Sequence, residues 1–369
     1  MTADVVIIGG GLAGSAAAIT LAASSRNVIL IEREPHPAHK VCGEFLSREA
    51  LAYLHRLGID ADALGAVPIE RVRLAGHSGV TEATLPFPAK SLTRRTLDEA
   101  LLHAAHASGA RLLRGNHVEA LHHDGTHWRA SLRGRTEIAA SEAFLATGKH
   151  DLRGRARPAG KQRDLIGLKM YFKLAPREAA ELEGHVELML YAGGYAGLQP
   201  VEDGWANLCC LVSRATLQRI GGRWNDLLAL MQRDCPHLRQ RLRGAAPMLA
   251  KPLAIAAIPY GHVLRRSDGL WALGDQAAVI PSFTGDGMSI ALHSGILAAQ
   301  MLLAGRPAHA YQQRLSGEVH AQVALATTLS RAMVRRPQRA LLEMAARFWP
   351  GVMRLVAERT RIPAAALLT

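Results

Sequence analysis

Three glycines near the N-terminus have the spacing of a nucleotide-binding turn. Gly9, Gly11 and Gly14 satisfy the pattern G-x-G-x-x-G between a β-branched apolar run at 4–8 and a run of small residues at 14–23. The pattern assigns the first glycine to a tight turn, the second to close approach of a pyrophosphate and the third to helix–strand packing. The free N–H groups and positive dipole end of the helix would then bind the phosphates.

An acidic residue completes this signal. Glu32 lies 18 residues after Gly14, at the end of a second apolar run at 27–31. A carboxylate at the end of the second strand accepts hydrogen bonds from ribose hydroxyls in dinucleotide-binding folds. With neighbouring Ala13 and Arg33, these residues predict a dinucleotide site at the carboxyl ends of parallel strands.

A second glycine-bearing segment lies far along the chain, at 271–292 (WALGDQAAVIPSFTGDGMSIAL). It resembles the second FAD motif of the para-hydroxybenzoate-hydroxylase-like flavoproteins. The resemblance implies that Gly274 and Asp275 bind the ribityl chain or pyrophosphate. It also implies that the turn and helix start at 285–288 face the flavin ring. A helix N-terminus there would stabilise the negative charge of a reduced flavin.

A third segment indicates the same cofactor. The stretch 91–98 (SLTRRTLD) resembles the family's Arg-x-x-Leu-Asp helix start, whose arginine lies beside the FAD. We assign that role to Arg94, with Arg95 as the alternative. Because the three segments occur in the family's order, we expect FAD to be bound, and bound non-covalently.

Two further segments resemble the geranylgeranyl-reductase branch of this superfamily. Pro37, Cys42 and Gly43 match its Pro-x4-Cys-Gly signature, whose cysteine lies close to the flavin. The stretch 194–200 (GYAGLQP) aligns with Gly-Tyr-x-Trp-x-Phe-Pro, but glycine and glutamine replace two aromatics that line a prenyl tunnel in the reductases. That replacement argues against a prenyl substrate. The candidate catalytic residues are Cys42, which would line the pocket without forming a covalent intermediate, and Tyr195.

The expected cofactor-binding residues therefore come from separate parts of the chain. They are Gly9, Gly11, Ala13, Gly14, Glu32, Arg33, Cys42, Gly43, Arg94, Gly274, Asp275, Gly285, Asp286, Gly287 and Met288. No Cys/His spacing suggests a metal site, so we expect none.

The resemblance implies an FAD-dependent oxidoreductase, and our first expectation is a monooxygenase. In that reaction, reduced FAD and O₂ give a C4a-hydroperoxide, which transfers one oxygen atom to a small or medium organic substrate, aromatic or polyketide-like. The alternative is a geranylgeranyl-reductase-like ene reductase, which transfers hydride from reduced FAD to an alkene. A non-catalytic FAD-binding protein is the alternative from another class.

Two motifs of related flavoenzymes are missing from the sequence. The halogenase string Trp-x-Trp-x-Ile-Pro does not occur, and residues 146–148 (ATG) lack the aspartate of the hydroxylases' Asp-Gly pair. That pair is linked to FAD and NAD(P)H handling, and no separate NAD(P)H domain is apparent. We expect electrons to come from transiently bound NAD(P)H or from a reductase partner.

These motifs require a defined order of elements. Strand, glycine turn, helix and strand over 4–31 predict a doubly wound α/β sheet. We expect an α/β fold in which a Rossmann-like FAD domain is interrupted by a sheet-rich substrate domain and followed by C-terminal helices. The ranges are 1–65, 91–160 and 259–310 for the FAD domain, 66–90 and 161–258 for the substrate domain, and 311–369 for the helices. The composition favours strands at 110–114, 127–133 and 136–146 and helices at 48–57, 96–106, 214–232 and 286–304.

Composition excludes several classes of protein. The 369 residues are 49% hydrophobic and 20% charged, as in ordinary globular chains. The net charge is +13, but the arginines are scattered and aromatics are only 5%, which argues against nucleic-acid binding. No apolar run is long enough for a spanning helix, and the four cysteines form no disulfide pattern, so we expect a cytoplasmic enzyme with a small-molecule substrate. The basic, amphipathic C-terminal tail is the candidate for contact with a membrane surface.

Overall fold

The computed structural model describes residues 1–134 and 136–368 as a mixture of strands and helices. The strands are β1 (Thr2–Ile8), β2 (Val28–Glu32), β3 (Phe45–Leu46), β4 (Val67–Gly76), β5 (Gly79–Ser91), β6 (Arg111–Arg114), β7 (Val118–His123), β8 (Trp128–Leu132), β9 (Glu137–Leu145), β10 (Leu165–Lys173), β11 (Gly184–Tyr191), β12 (Gly194–Val201), β13 (Trp205–Ser213), β14 (Ala246–Pro247), β15 (Leu253–Ile255) and β16 (Trp271–Ala272). The helices are α1 (Leu12–Ala22), α2 (Arg48–Arg56), α3 (Arg94–Ala107), α4 (Pro176–Leu182), α5 (Arg214–Arg219), α6 (Trp224–Asp234), α7 (Pro236–Arg241), α8 (Gly287–Leu303), α9 (Ala308–Val334), α10 (Arg336–Phe348) and α11 (Gly351–Arg359).

The first sheet has the order β6-β2-β1-β9-β8-β7, with β16 paired to β9. The strands β6, β2, β1, β9 and β16 are parallel, and Val6 of β1 lies between Ile29 of β2 and Ala143 of β9. Both faces of β1 are buried, which explains its continuous apolar sequence. Alternate residues face two cores: Val5 and Ile7 pack with α1 and α8, and Val6 faces β7 and β8.

The second sheet has the order β14-β10-β13-β12-β11-β4-β5-β3, with β15 paired to β10. Its pairs are antiparallel except for β4 with β11. Residues of β10–β13 that face one side, among them Met189 and Leu208, pack against α6 and α7. The other side faces the first sheet and the C-terminal helices, and this is the side that matters for the site.

The expected α/β class with a Rossmann-like unit is confirmed, and β1, α1 and β2 lie where the glycine turn requires them. One local prediction is wrong, and one strand was not predicted. The helix expected at 214–232 is divided into α5 and α6, because Gly221 and Gly222 adopt φ values of +98° and +75°, which end α5. The strand β7 at the edge of the first sheet was not predicted, because its burial does not alternate: Val118 and Leu121 are buried and the other four residues are exposed.

Residues 308–368 form a helical layer against both sheets. Helix α9 packs on α8, and α10 and α11 lie over β4 and β5. The layer is anchored by Arg361, which follows α11 and pairs with buried Asp286 at the start of α8. Within the described part of the chain, no helix is both long and apolar enough to cross a membrane.

Candidate functional site

The glycine turn after β1 is shaped by close backbone contacts. Gly9 has φ +108°, and a Cβ added there would lie 2.3 Å from the carbonyl oxygen of Ala146. A Cβ on Gly14 would lie 1.9 Å from the carbonyl oxygen of Gly9. By contrast, a Cβ on Gly11 would face open space, with the Arg94 guanidinium as its nearest neighbour at 3.4 Å. The turn therefore needs two glycines for packing and leaves the third facing a cleft.

Glu32 is buried at the end of β2 and binds the same turn. Its Oε2 accepts a hydrogen bond from the Gly10 backbone N–H at 2.8 Å, and its Oε1 accepts one from the Glu34 N–H at 2.9 Å. The side chain also lines the cleft, next to exposed Arg33. The carboxylate thus lines the cleft at the end of β2, where the sequence predicts a ribose contact, and two backbone donors orient it.

Two helices begin at the cleft without a side-chain cap. Gly11 is the N-cap of α1 and Asp286 is the N-cap of α8, and neither makes a side-chain capping hydrogen bond. Their first N–H groups are thus available to a ligand. Gly285 has φ +68°, and a Cβ there would lie 2.5 Å from the Phe45 ring, so this turn requires glycine. Two positive dipole ends therefore lie at one cleft, which suits a pyrophosphate and a flavin ring.

Asp286 itself does not line the cleft. Its carboxylate lies 3.3 Å from Arg361 and 3.3 Å from the Gln322 amide, and burial raises the pKa of Asp286 to about 7 although Arg361 opposes the shift. The structure thus places this predicted cofactor residue in the anchor of the C-terminal helices. Gly285, Gly287 and Met288 around it do line the cleft.

Arg94 is the arginine of its pair that faces the cleft, and Arg95 is exposed. The guanidinium donates from Nε and Nη2 to the two oxygens of Asp98 at 2.7 and 3.0 Å. Despite burial, which lowers it, Asp98 and the nearby Cys42 sulfur hold the pKa of Arg94 above its ordinary value. Arg94 is therefore a fixed positive charge in the wall of the cleft.

Asp275 lies in the middle of the cleft wall, where the sequence predicts a cofactor contact. Its carboxylate is 3.6 Å from the Lys149 ammonium, and its carbonyl oxygen accepts a 2.8 Å hydrogen bond from Arg157. Gly274, before it, has φ +55° and packs against Ala13. The sequence missed Lys149 and Arg157, because a basic stretch between two strands is usually an exposed loop.

These segments form one continuous space, the cofactor cleft, with an inner part of about 130 Å³ and an outer part of about 510 Å³. The residues that line both parts are Gly11, Val41, Arg94, Ala146, Gly148, Lys149 and Asp275. Of the expected cofactor residues, the inner part has Ala13, Cys42, Gly43, Gly274, Gly285, Gly287 and Met288, and the outer part has Gly9, Glu32 and Arg33. Gly14 packs beneath the turn. The cradle of bare glycines and the two helix N-termini fit FAD.

A buried polar cluster supports the loop that carries Cys42. Glu44 has φ +62° and no exposed surface, and its carboxylate lies 2.6 Å from the Lys169 ammonium. It also accepts from the Tyr171 hydroxyl at 2.8 and 2.9 Å and from the Asn207 amide at 3.0 Å. The same Asn207 amide donates to the carbonyl oxygens of Cys42 and Gly43 at 3.1 and 3.0 Å.

The sequence did not predict this cluster, although one signal was present. Lys169 interrupts an apolar β-strand, and a fully buried lysine is rare unless it is paired. Burial raises the pKa of Glu44, and Lys169 opposes that shift. The cluster holds the backbone of the Cys42–Gly43 loop between the second sheet and the cleft.

A second space, the apolar chamber, opens beside Gly43 and has a volume of about 230 Å³. Five residues line both the chamber and the cofactor cleft: Gly43, Phe45, Cys209, Ser282 and Gly285. The remaining walls are mostly apolar and come from the second sheet and the C-terminal helices: Val72, Leu74, Leu85, Phe87, Val186, Leu188, Leu190, Leu329, Met333, Leu342, Val352, Met353 and Val356. Glu187, Thr360 and Arg361 are polar or charged residues of the same walls.

The strand β12 contributes the predicted catalytic tyrosine to the chamber. Strand alternation places Tyr195, Gly197 and Gln199 on the chamber side. Tyr195 packs edge-on against Phe283 with ring centroids 6.0 Å apart, and its hydroxyl lies 3.4 Å from the Ser330 hydroxyl. Burial raises the pKa of Tyr195 to about 12, so its phenol keeps its proton at neutral pH.

Gly197 and Gln199, which stand at the two aromatic positions of the reductase motif, have different surroundings. A Cβ on Gly197 would meet only the Cys209 carbonyl oxygen, at 4.0 Å, so this position leaves room in the chamber. Gln199 is buried, and its Nε2 has no hydrogen-bond partner among the described residues. The chamber is therefore a wide apolar space that contains one unpaired amide donor.

Comparison with known proteins identifies the family. Residues 2–142 match the FAD binding domain family. The menaquinone reductase of Mycobacterium tuberculosis (strain ATCC 25618 / H37Rv) is 30% identical over 319 residues, which cover 82% of this chain and 76% of the relative. The chain belongs to the FAD-dependent oxidoreductase superfamily that includes the geranylgeranyl reductases. This flavoprotein is also 26% identical to digeranylgeranylglycerophospholipid reductase 2 of Methanopyrus kandleri, over 82% of this chain and 77% of that one.

Solved structures agree with this assignment at the level of the fold. The flavin-dependent brominase Bmp2 superposes with a TM-score of 0.80 at 21% identity, covering 100% of this chain and 96% of the brominase. A geranylgeranyl bacteriochlorophyll reductase-like protein from Thermoplasma acidophilum gives a TM-score of 0.74 at 19% identity, covering 99% and 94%. FAD is thus the cofactor of the family, and the cofactor cleft lies where its motifs require.

Proposed function

We propose that this flavoprotein is a reductase that saturates a carbon–carbon double bond in an elongated apolar substrate. The observation that carries the proposal is the apolar chamber, which opens onto the cofactor cleft beside Cys42 and Gly43. A chamber with aliphatic walls favours a hydrocarbon chain over a charged or sugar-like molecule. Gly197 and Gln199 stand where the reductase motif has two aromatics. Aliphatic side chains of β4, β5 and β11 supply apolar walls in their place, so the chamber suits a prenyl-like chain.

The cofactor cleft supplies the redox group. Gly11, Arg94 and Asp275 would hold the phosphates and ribityl chain of FAD, and the N-terminus of α8 would face the ring. When bound, reduced FAD would supply the hydride for one alkene carbon and be left oxidised, and a protein side chain would supply the proton for the other carbon. The Cys42 thiol and the Tyr195 phenol both face the site and are the candidates to supply that proton.

The chain's own residues also exclude water and orient the substrate. The helices α10 and α11 cover the chamber with Leu342, Val352 and Val356 on their inner faces. Arg361 fastens this cover to the loop before α8 through Thr284 and Asp286. A closed apolar space keeps the alkene against the flavin and away from solvent protons.

The relatives support reduction as the first choice. Relatives that align over most of the chain include a menaquinone reductase and a digeranylgeranylglycerophospholipid reductase. Their names describe reduction of a menaquinone and of a digeranylgeranylglycerophospholipid. For the electron donor we propose transiently bound NAD(P)H or a reductase protein, because the described fold has no second nucleotide-binding domain.

Monooxygenation is the second candidate, and one observation favours it. An alkene chain has no polar atom for the Gln199 amide, whereas a phenol or quinone oxygen would accept its free N–H. A substrate with an oxygen-bearing ring and an apolar tail would use both the amide and the aliphatic walls. Insertion of one oxygen atom into such a ring is the reaction that the sequence favours first.

Product analysis with and without oxygen separates the two reactions. The FAD-loaded protein is reduced under nitrogen and supplied with menaquinone, and in parallel with a long-chain alkylphenol. Products are re-oxidised in air, so that the quinone ring does not alter the mass, and analysed by mass spectrometry. We expect a gain of two hydrogens in the chain without oxygen. A gain of one oxygen atom, only in air, would replace the first proposal by the second.

A further inference from the structure

The outer faces of α10 and α11 carry large apolar side chains that nothing in the described chain covers. Leu341 is 62% exposed, Phe348 is 80% exposed and Trp349 is 58% exposed, with Met344 and Leu355 also exposed. Leu341, Met344 and Phe348 are three and four residues apart, so they form one stripe along α10. We call these five residues the apolar stripe.

The same two helices form the cover of the apolar chamber. Leu342 and Ala346 of α10 and Val352 and Val356 of α11 face inward and line it. A single helical layer, about 10 Å thick, therefore separates the apolar stripe from the proposed substrate. An apolar molecule that reaches the stripe has a short route to the flavin.

The charges around the apolar stripe are nearly all positive. Exposed arginines flank it at 335, 336, 347, 354 and 359, against one exposed carboxylate, Glu358. The other acidic residue of the layer, Glu343, is partly buried and bound by Ser78 and Arg339. None of the five arginines forms a salt bridge within residues 1–134 and 136–368. Their charge is thus available to an external anionic surface.

We propose that the outer faces of α10 and α11 bind the surface of an anionic lipid bilayer. An apolar face flanked by arginines, with an aromatic pair at its end, lies in the plane between headgroups and acyl chains. Each arginine near an anionic surface adds attraction that salt screens. The inference goes beyond the proposed reaction, because it concerns where the flavoprotein meets its substrate.

A second copy of the chain is a poorer occupant for this face. A two-fold contact would place the arginine-flanked stripe of one copy against that of the other. Like charges would then oppose each other around the rim, with Glu358 as the one exposed acidic residue to offset them. A bilayer containing anionic lipid satisfies both the apolar stripe and its charges.

Vesicle flotation of the FAD-loaded protein tests the proposal. The vesicles contain phosphatidylcholine alone or phosphatidylcholine mixed with phosphatidylglycerol. We expect the protein to float with the mixed vesicles and much less with phosphatidylcholine alone. Phe348→Ser with Trp349→Ser should lower binding to the mixed vesicles by about tenfold or more. Leu325→Ser, at an exposed apolar residue of α9, is the matched control and should bind like the wild type.

A charge variant makes the test specific. Arg347→Glu with Arg354→Glu should lower binding to mixed vesicles and leave binding to phosphatidylcholine unchanged. Unaltered FAD content verifies folding of each variant. The proposal is overturned if the wild type stays with the unbound fraction, or if the serine variant floats like the wild type. If the wild type is a dimer that binds no vesicles, and the double serine variant is a monomer, the face would instead be assigned to contact with a second copy.

Vesicle flotation measures membrane binding without turnover. A negative flotation result would therefore not contradict the proposed reaction. Turnover of a detergent-solubilised substrate in turn tests the reaction without the bilayer. The two proposals can therefore fail separately.

Discussion

The cofactor cleft and the apolar chamber meet at Gly43, Phe45 and Cys209, yet they are built in different ways. The cleft is formed largely by main chain: bare glycines, two uncapped helix N-termini and a few fixed charges. The chamber is formed by side chains from two layers that are far apart in sequence. The cleft therefore recognises one cofactor by backbone geometry, and the chamber can change its substrate by exchanging aliphatic residues.

This difference explains why one cleft serves several reactions in the superfamily. A backbone cradle tolerates few substitutions, because a Cβ at Gly9 or Gly14 would overlap main-chain atoms. A wall of aliphatic side chains tolerates many substitutions of similar volume. The reaction and substrate should thus follow the chamber, and the cofactor should follow the cleft.

The largest expected effect tests the boundary between the two regions. Lys169→Met removes the positive charge beside the buried Glu44 carboxylate, which should lower the free energy of unfolding by about 3–5 kcal/mol. Urea unfolding measures it. Lys173→Met, at the exposed end of the same strand, is the control and should change stability by less than about 0.5 kcal/mol. Equal stability of the two variants would mean that the cluster does not support the loop.

The next effect tests the cleft itself. Gly11→Asp would place a carboxylate where we propose that the pyrophosphate binds. The new carboxylate would also lie beside Arg94 and pair with its guanidinium. FAD affinity should fall at least about 100-fold, or about 2.7 kcal/mol. Fluorescence titration of the apoprotein with FAD measures this. Gly317→Asp, on the exposed side of α9, adds the same side chain away from the site and should bind FAD normally. Normal binding by Gly11→Asp would remove this turn from the cofactor site.

A smaller effect tests the unpaired amide of Gln199 in the chamber wall. Gln199→Leu removes an unpaired buried donor, so the thermal midpoint should be unchanged or higher. If a substrate oxygen accepts from this amide, KM should rise about fivefold, or about 1 kcal/mol, with FAD content unchanged. Steady-state kinetics with the substrate found by product analysis measure it. Gln218→Leu, exposed on α5, is the control. An unchanged KM would show that the substrate does not use the Gln199 amide.

The smallest effect concerns a histidine at the outer part of the cleft. Burial, with Lys169 and Arg95 nearby, lowers the pKa of His39 to about 4. Between pH 6.5 and 4 the unfolded chain therefore binds a proton that the folded chain does not, and stability falls as the pH falls through this range. His39→Gln should make that fall shallower by up to about one proton.

Urea midpoints across this pH range provide the measurement. His39→Gln also loses the packing of His39 on Tyr171, 4.8 Å away, so its stability is lower at pH 7 and only the slope is diagnostic. His36→Gln, at an exposed histidine, should keep the wild-type slope. A wild-type slope in His39→Gln would show that His39 titrates normally in the folded protein.

Sequence reasoning succeeded for the main chain of the fold and less well for side chains. The spacing of Gly9, Gly11 and Gly14 predicted β1, the turn and α1, because close backbone contacts require glycine at Gly9 and Gly14. The motif that includes Asp286 located the start of α8, but the carboxylate pairs with Arg361, a long-range partner that no local pattern indicates. The Glu44–Lys169 pair and the chamber were missed for the same reason, since strands and helices far apart in sequence form them.

The central claim is that the apolar chamber is the substrate site and faces the flavin. A difference-absorbance titration of the oxidised, FAD-loaded protein with menaquinone tests it most directly, because a ligand in the chamber perturbs the flavin band. Gly197→Trp would fill the open space at that position while leaving the cofactor cleft intact. We predict a saturable flavin perturbation in the wild type, and its loss in Gly197→Trp with unchanged FAD content. An equal perturbation in both proteins, or menaquinone binding that leaves the flavin spectrum unaltered, would contradict the account.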